Sequence, residues 1–175
     1  VYYSKDRLDD AALLTTLKAG CSLPFLQKPV HFDGRILVDG GIADAVPLQK
    51  SIADGNIRHV LVLTQPSGYR KIPSRLSGLI RLRYPRYPGL YRSFISRARR
   101  YNRTMAHIEA LEADGAVFVI RPAADLAVKR TESDVCKLDK IYTYGYNDAA
   151  NCFEELKTYL ADRTRSYCCR TSFSP

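Results

Sequence analysis

The carboxylate best placed for chemistry in this chain is Asp39, which succeeds the short apolar run Arg35-Ile36-Leu37-Val38 and precedes two glycines, Gly40 and Gly41. Glycines directly behind an acid let the backbone take left-handed or crowded conformations, so the carboxylate can be aimed rather than buried. A carboxylate mounted in this way at the mouth of a strand can serve as a general base. The competing reading is an Asp-Gly hairpin turn. The residues after Gly41 disfavour it: positions 43–55 show no second alternating strand and read as a loop, a helix over 47–53 with Pro47 near its first turn, and a glycine stop at Gly55. Other reactive residue types are scattered. His31, His59 and His107 have no ligand-spaced partners, so no metal and no cofactor are expected. The five cysteines, Cys21, Cys136, Cys152, Cys168 and Cys169, show neither Cys-x-x-Cys pairs nor a small-scaffold framework and read as reduced thiols.

The elements that must position Asp39 can be read from periodicity. Residues 5–18 place Leu8, Ala11, Ala12, Leu13, Leu14 and Leu17 at helical spacing and end at Gly20. Residues 21–34 read as a loop around Pro24 and Pro29, with Asp33-Gly34 turning into the Asp39 strand. Residues 59–65, almost continuously apolar, read as a strand buried on both faces of an α/β sheet. With the helix over 47–53 this makes a β-α-β unit. Its right-handed crossover would bring Asp39 and the end of the second strand to one sheet edge, where ligands of α/β folds bind. Downstream, residues 83–89 form a kinked connection, helical spacing resumes from 90 to 112 and stops near Gly115, and residues 116–122 read as another buried strand. A loop runs to residue 130. A long helix over 132–161 comes next, capped from Thr131-Glu132-Ser133-Asp134, interrupted at Gly145, with Leu138, Ile141, Tyr142, Ala149, Cys152, Phe153, Leu156 and Leu160 as its apolar stripe. Residues 163–175 carry no pattern and are expected to be a disordered tail.

Together these residues resemble the second catalytic motif of patatin-like phospholipases: a strand ending in Val38-Asp39-Gly40-Gly41, then Pro47, a short helix closed by Gly55, and the strand His59-Val60-Leu61-Val62-Leu63. The preceding Ala19-Gly20-Cys21-Ser22-Leu23-Pro24-Phe25 is similar to the family's small-residue stretch ending in proline, and Tyr144-Gly145-Tyr146-Asn147-Asp148-Ala149 to a pattern of its last helix. The resemblance implies a three-layer α/β sandwich with a mostly parallel sheet, present here only in part over residues 1–162. It also implies hydrolysis of lipid acyl esters by a Ser-Asp dyad in which Asp39 is the acid and Gly40 and Gly41 shape its turn. Phe25 and Leu26 would line an acyl pocket or cover the core, and a Ser-His-Asp triad through His31 is not implied. Neither the family's Gly-x-Ser-x-Gly elbow nor its glycine-rich oxyanion loop occurs here. The elbow exposes the nucleophile and supplies an oxyanion donor, so the chain is expected to be the C-terminal portion of a longer enzyme, inactive alone, a view in keeping with its beginning at Val1.

Residues 69–103 hold Arg70, Lys71, Arg75, Arg81, Arg83, Arg86, Arg92, Arg97, Arg99, Arg100 and Arg103 with no Asp or Glu, interleaved with tyrosines, and supply much of the net charge of +9. Arginine forks bind phosphate and tyrosines favour the water–acyl boundary, so Arg81, Arg83, Arg86 and Arg92 are candidates for contact with a headgroup or an anionic membrane. The same residue types suit nucleic acid, a less favoured partner, which gives the alternative of a non-catalytic anion-binding module. A third reading pairs the arginines with acids elsewhere. At 175 residues, 46% hydrophobic and 26% charged, composition is that of an ordinary soluble globular protein holding one domain or most of one. No run of 18 apolar residues and no signal peptide occurs, so the expected location is the cytoplasm with peripheral membrane contact. Oligomeric state is not readable from the sequence, although bare sheet edges in a partial domain favour association.

Overall fold

An Asp-Gly pair does close a hairpin in this chain, one motif before Asp39. The computed structural model describes residues 1–74, 77–129 and 131–162. In it, strand β1 (Val30–Phe32) pairs antiparallel with β2 (Arg35–Leu37) in the register Val30↔Leu37, His31↔Ile36, Phe32↔Arg35. Asp33 and Gly34 both have positive φ, 51° and 65°, the conformation that a two-residue type I′ turn demands and that Asp-Gly tolerates best. A strand over residues 30–32 corrects the loop expected there; Pro29 and the lack of alternation hide it in the sequence.

The protein is mixed α/β, about half helical with small sheets, and divides into two compact units. The first comprises residues 1–47 and 71–103. Its helix α1 (Asp10–Gly20) begins later than periodicity suggests, because the Asp9 carboxylate accepts a hydrogen bond from the Ala12 amide at 2.7 Å and fixes the N-terminus there. Residues 5–7 form a separate 3-10 turn. A short helix that periodicity does not reveal, α3 (Ser77–Arg83), buries Ile80 completely, and Tyr84 directly after it is buried as well. Among the described residues of this unit, Ala19, Ser22, Ile42 and Ala98 are buried as well. Helix α4 (Pro88–Ala113) opens on a proline, whose fixed φ suits a first helical position.

The second unit comprises residues 48–70 and 104–175. It begins with α2 (Leu48–Ala53) and contains β3 (Val60–Val62), which pairs in parallel with β4 (Phe118–Ile120). The β-α-β unit expected to link the Asp39 strand to β3 is therefore not formed: β2 pairs with β1, and β3 with β4. Nor is β3 buried on both faces. Leu61 and Leu63 point inward, while Val60 and Val62 are 41% and 73% exposed, the pattern of a two-stranded ladder with only one face covered. Met105, Ile108 and Leu111 are also buried in this unit, and their spacing along α4 is the helical stripe expected.

The long C-terminal helix is two helices, α5 (Val135–Asn151) and α6 (Phe153–Ala161). Gly145 lies inside α5 and the break falls at Cys152, whose φ/ψ of −101°/9° leaves the helical range. The expected apolar stripe is not buried: Leu138, Tyr142, Phe153 and Leu160 are all exposed. Tyr159 ties α6 to the strands instead. Its hydroxyl donates to the Ala116 carbonyl at 3.0 Å and accepts from the His59 amide at 3.3 Å, and its ring lies 5.6 Å from that of Phe118. The expected tail, with Cys168 and Cys169, falls outside the described residues.

Two effects on stability are expected. Ile108→Ala removes a fully buried side chain and should cost about 3 kcal/mol in denaturant unfolding, whereas Ile95→Ala, at a half-exposed position, should cost under about 1 kcal/mol. Burial lowers the His59 pKa, so the unfolded chain binds a proton that the folded chain resists. Stability should fall as pH drops below about 6.5, with a slope from this group of at most about 1.4 kcal/mol per unit, and His59→Gln should remove that component.

Candidate active site around Asp39

Asp39 is half-buried at the end of β2, with φ/ψ of −42°/124°. Its amide donates to the Ser22 carbonyl at 2.9 Å. Ser22 is itself buried just beyond α1, its hydroxyl donating to the Lys18 carbonyl at 2.7 Å, so the acid's backbone is anchored to a helix end. After Asp39 the chain turns at once into a 3-10 helix, Gly40–Ile42, in which the Ile42 amide reaches the Asp39 carbonyl and the amides of Ala43 and Asp44 reach that of Gly40. The Asp39 side chain does not cap this turn, although Asp at such a position commonly does. Among the described residues its carboxylate has no hydrogen-bond or ion-pair partner.

The two glycines act differently from expectation. Neither has a positive φ, so left-handed freedom is not what the turn uses. Gly40 has open space where a side chain would begin. At Gly41 a Cβ would lie 3.1 Å from Asp39 Oδ1 and 3.9 Å from Arg97 Nη2, so crowding by the acid accounts for the second glycine alone.

Sequence reasoning does not reveal what holds the turn from the other side. Arg97 Nε donates to the Gly41 carbonyl at 2.9 Å. Arg100 donates Nη2 to the Ile42 carbonyl at 2.7 Å and Nε to the Ala43 carbonyl at 3.1 Å. It also reaches the Ser93 carbonyl at 2.9 Å and the Ser96 hydroxyl on its own helix. Three consecutive carbonyls after Asp39 thus point at two guanidinium groups of α4. No local pattern in the sequence announces such contacts, which span 56 to 58 residues. On the far side, the Tyr2 hydroxyl donates to Asp44 Oδ2 at 2.5 Å; desolvation, helped by that acid, pushes the phenol up to about 12.

The basic segment accordingly separates into two classes. Arg70 forms a bidentate pair with Glu109, whose carboxyl that pair holds below its ordinary pKa, and Arg97 and Arg100 serve the turn. Arg81, Arg83, Arg86 and Arg92 are exposed, and Arg83 lies over the Tyr84 ring at 5.3 Å. Arg75 falls outside the described residues. His31 is exposed on β1. A serine–histidine contact does exist elsewhere, between Ser51 Oγ and His59 Nδ1 at 3.0 Å, in the second unit. With His59 only 4% exposed, it joins the end of α2 to the start of β3 and offers no open nucleophile. Among the described residues no group of three His, Cys, Asp or Glu side chains could hold a metal ion, and no helix is long and apolar enough to cross a membrane.

The acid thus stands beyond a strand end on a turn held by Ser22 on one element and by Arg97 and Arg100 on another. Residues 1–51, which contain it, match the family model of patatin-like phospholipase, and the N-terminal part of the chain is patatin-like. Residues 87–161 match a domain of unknown function, DUF6363. No curated protein matches the chain. The arginines bracing the Asp39 turn thus lie in the segment of unknown function, and the turn they brace lies in the patatin-like one.

Arg100→Ala should cost about 2 kcal/mol in denaturant unfolding, because it orphans carbonyls that had charged donors. Arg100→Lys should recover only part of this, since one ammonium cannot reproduce a planar fork spread over several acceptors.

Proposed function

We propose that Asp39 is the base of a Ser-Asp dyad in a patatin-type lipid acyl hydrolase. This chain would supply the acid, and a segment outside it would supply the serine elbow and oxyanion loop. The observation that carries the reading is Asp39 itself: a half-buried carboxylate, unpartnered among the described residues, on a rigidly held turn inside the patatin-like segment. The complete enzyme would be a three-layer sandwich in which further parallel strands cover the open side of β3, acting in the cytoplasm or at a membrane surface.

In this mechanism Asp39 takes the serine proton as the oxygen attacks the ester carbonyl, and the tetrahedral intermediate collapses to an acyl-enzyme. The proton passes to the departing alcohol. Water, deprotonated by the same carboxylate, then releases the fatty acid and restores the serine. A carboxylate is a weak base toward a hydroxyl, so the rate would depend on geometry. The role of Gly41, Arg97 and Arg100 is to fix that geometry.

The test is hydrolysis of a short-chain nitrophenyl ester by this chain alone and by the chain joined to an upstream patatin-type segment bearing the Gly-x-Ser-x-Gly elbow. The joined protein should be active, and Asp39→Asn should lower its kcat by at least about 1,000-fold. The chain alone should be no more active than its own Asp39→Asn variant. Near-normal turnover by Asp39→Asn in the joined protein would overturn the proposal. The exposed arginines favour a second reading, a non-catalytic anion-binding module, which inactivity of the joined protein would support.

A further inference from the structure

Helix α3 presents to solvent a face that a free surface helix rarely carries. Leu79 and Leu82, one turn apart, are 50% and 79% exposed, while Ile80 is fully buried and Tyr84 nearly so. Leu82 comes two residues after Ile80, a rotation of about 200°, and Leu79 one residue before it, about 100°, so Leu82 stands opposite the anchor and Leu79 on the adjoining flank. Arg81, Arg83 and Arg86 flank them, all exposed. Apolar residues bordered by cations on an anchored helix are the pattern of an interfacial element: the leucines reach the acyl boundary while guanidinium groups meet phosphate.

A second observation concerns Phe25. Its φ of 72° is left-handed, an unfavourable conformation for a bulky residue. It is held there by the Tyr84 hydroxyl, which accepts a hydrogen bond from the Phe25 amide at 3.3 Å, and by an edge-on ring contact of 5.8 Å with Tyr84. The ring remains 43% exposed. One buried tyrosine, whose amide donates to the Ile80 carbonyl at the end of α3, thus also holds a strained aromatic. Strain kept to hold an aromatic partly in water is the mark of a surface that something else completes.

We infer that α3 with Phe25 is a docking wedge for an anionic lipid bilayer. Charge decides the occupant, since no acid occurs between residues 69 and 103 and the side chains of Arg81 and Arg86 have no partner among the described residues. The inference goes beyond the catalytic reading and does not depend on Asp39.

The full chain contains no tryptophan, so Leu82→Trp introduces a single reporter. Its indole should shift to the blue and be quenched by acyl-brominated lipid in phosphatidylcholine vesicles containing phosphatidylglycerol, and not in pure phosphatidylcholine. Tyr142→Trp, on exposed α5, should be unaffected. Leu79→Ser/Leu82→Ser leaves charge unchanged and should weaken partition by about 30-fold. Arg81→Gln/Arg83→Gln/Arg86→Gln should weaken it by about 100-fold, at about fivefold per cation. Both multiple variants alter exposed positions only and should keep the parental circular dichroism. Vesicle binding without quenching of the position-82 indole, or binding indifferent to the leucine pair, would overturn the wedge. So would preference for duplex DNA over vesicles, or a dimer in solution that the leucine variant dissolves.

Discussion

Guanidinium groups bonded to peptide carbonyls are the interaction on which the Asp39 region depends. A turn of two glycines has little to hold it, and a 3-10 helix of three residues leaves its carbonyls turned outward with no continuing helix to receive them. Arg97 and Arg100 take on that task from a long helix, which is stiff enough to fix where both forks lie. The donors are guanidinium groups and the acceptors are peptide carbonyls, so the contact needs no carboxylate and acid removes no acceptor. The Arg70–Glu109 pair does not share that indifference, since acid removes its carboxylate. Stretches that match different family models thereby meet within the first unit: residues of the patatin-like match provide the acid, and residues 97 and 100, from the match of unknown function, provide the brace.

The local features are legible in the sequence. Asp33-Gly34 predicts its turn because both residues tolerate left-handed backbone, and the apolar runs around Leu61 and Val119 predict strands. The acid at position 39 is legible as a candidate because its flanking glycines and the small helix after it come in a recognisable order. Pairing is not legible. Residues 35–37 and 60–62 look alike as apolar runs, and nothing in either says that one joins an antiparallel hairpin and the other a parallel ladder. The helix break at Cys152 is hidden because glycine is the stronger breaker on propensity, yet the backbone holds its helical course through Gly145. The brace is invisible for a different reason. An arginine destined for a carbonyl 56 residues away and an arginine destined for solvent have the same neighbours in sequence, here further arginines and tyrosines.

Burial is unequal between faces throughout the chain. Leu14 and Leu17 on α1, Val62 on β3 and the aromatic residues of α5 stand exposed, while few large side chains in either unit are fully enclosed. A ladder of two parallel strands is an uncommon finished product, because parallel sheets are generally covered on both faces. The exposed leucines of α3 differ from these in being surrounded by cations, so the same apolar exposure has a separate physical explanation there.

Phe25 places two demands on one codon. Glycine at this position would relieve the left-handed backbone, and asparagine would do so in part, so drift should favour both wherever the ring has no use. An aromatic side chain is kept only while something selects for it more strongly than backbone comfort does. A ring kept at position 25 against backbone comfort therefore depends on its partner: Tyr84 holds both the Phe25 amide and the ring edge, and a side chain without hydroxyl or ring at 84 would leave the strained backbone unsupported.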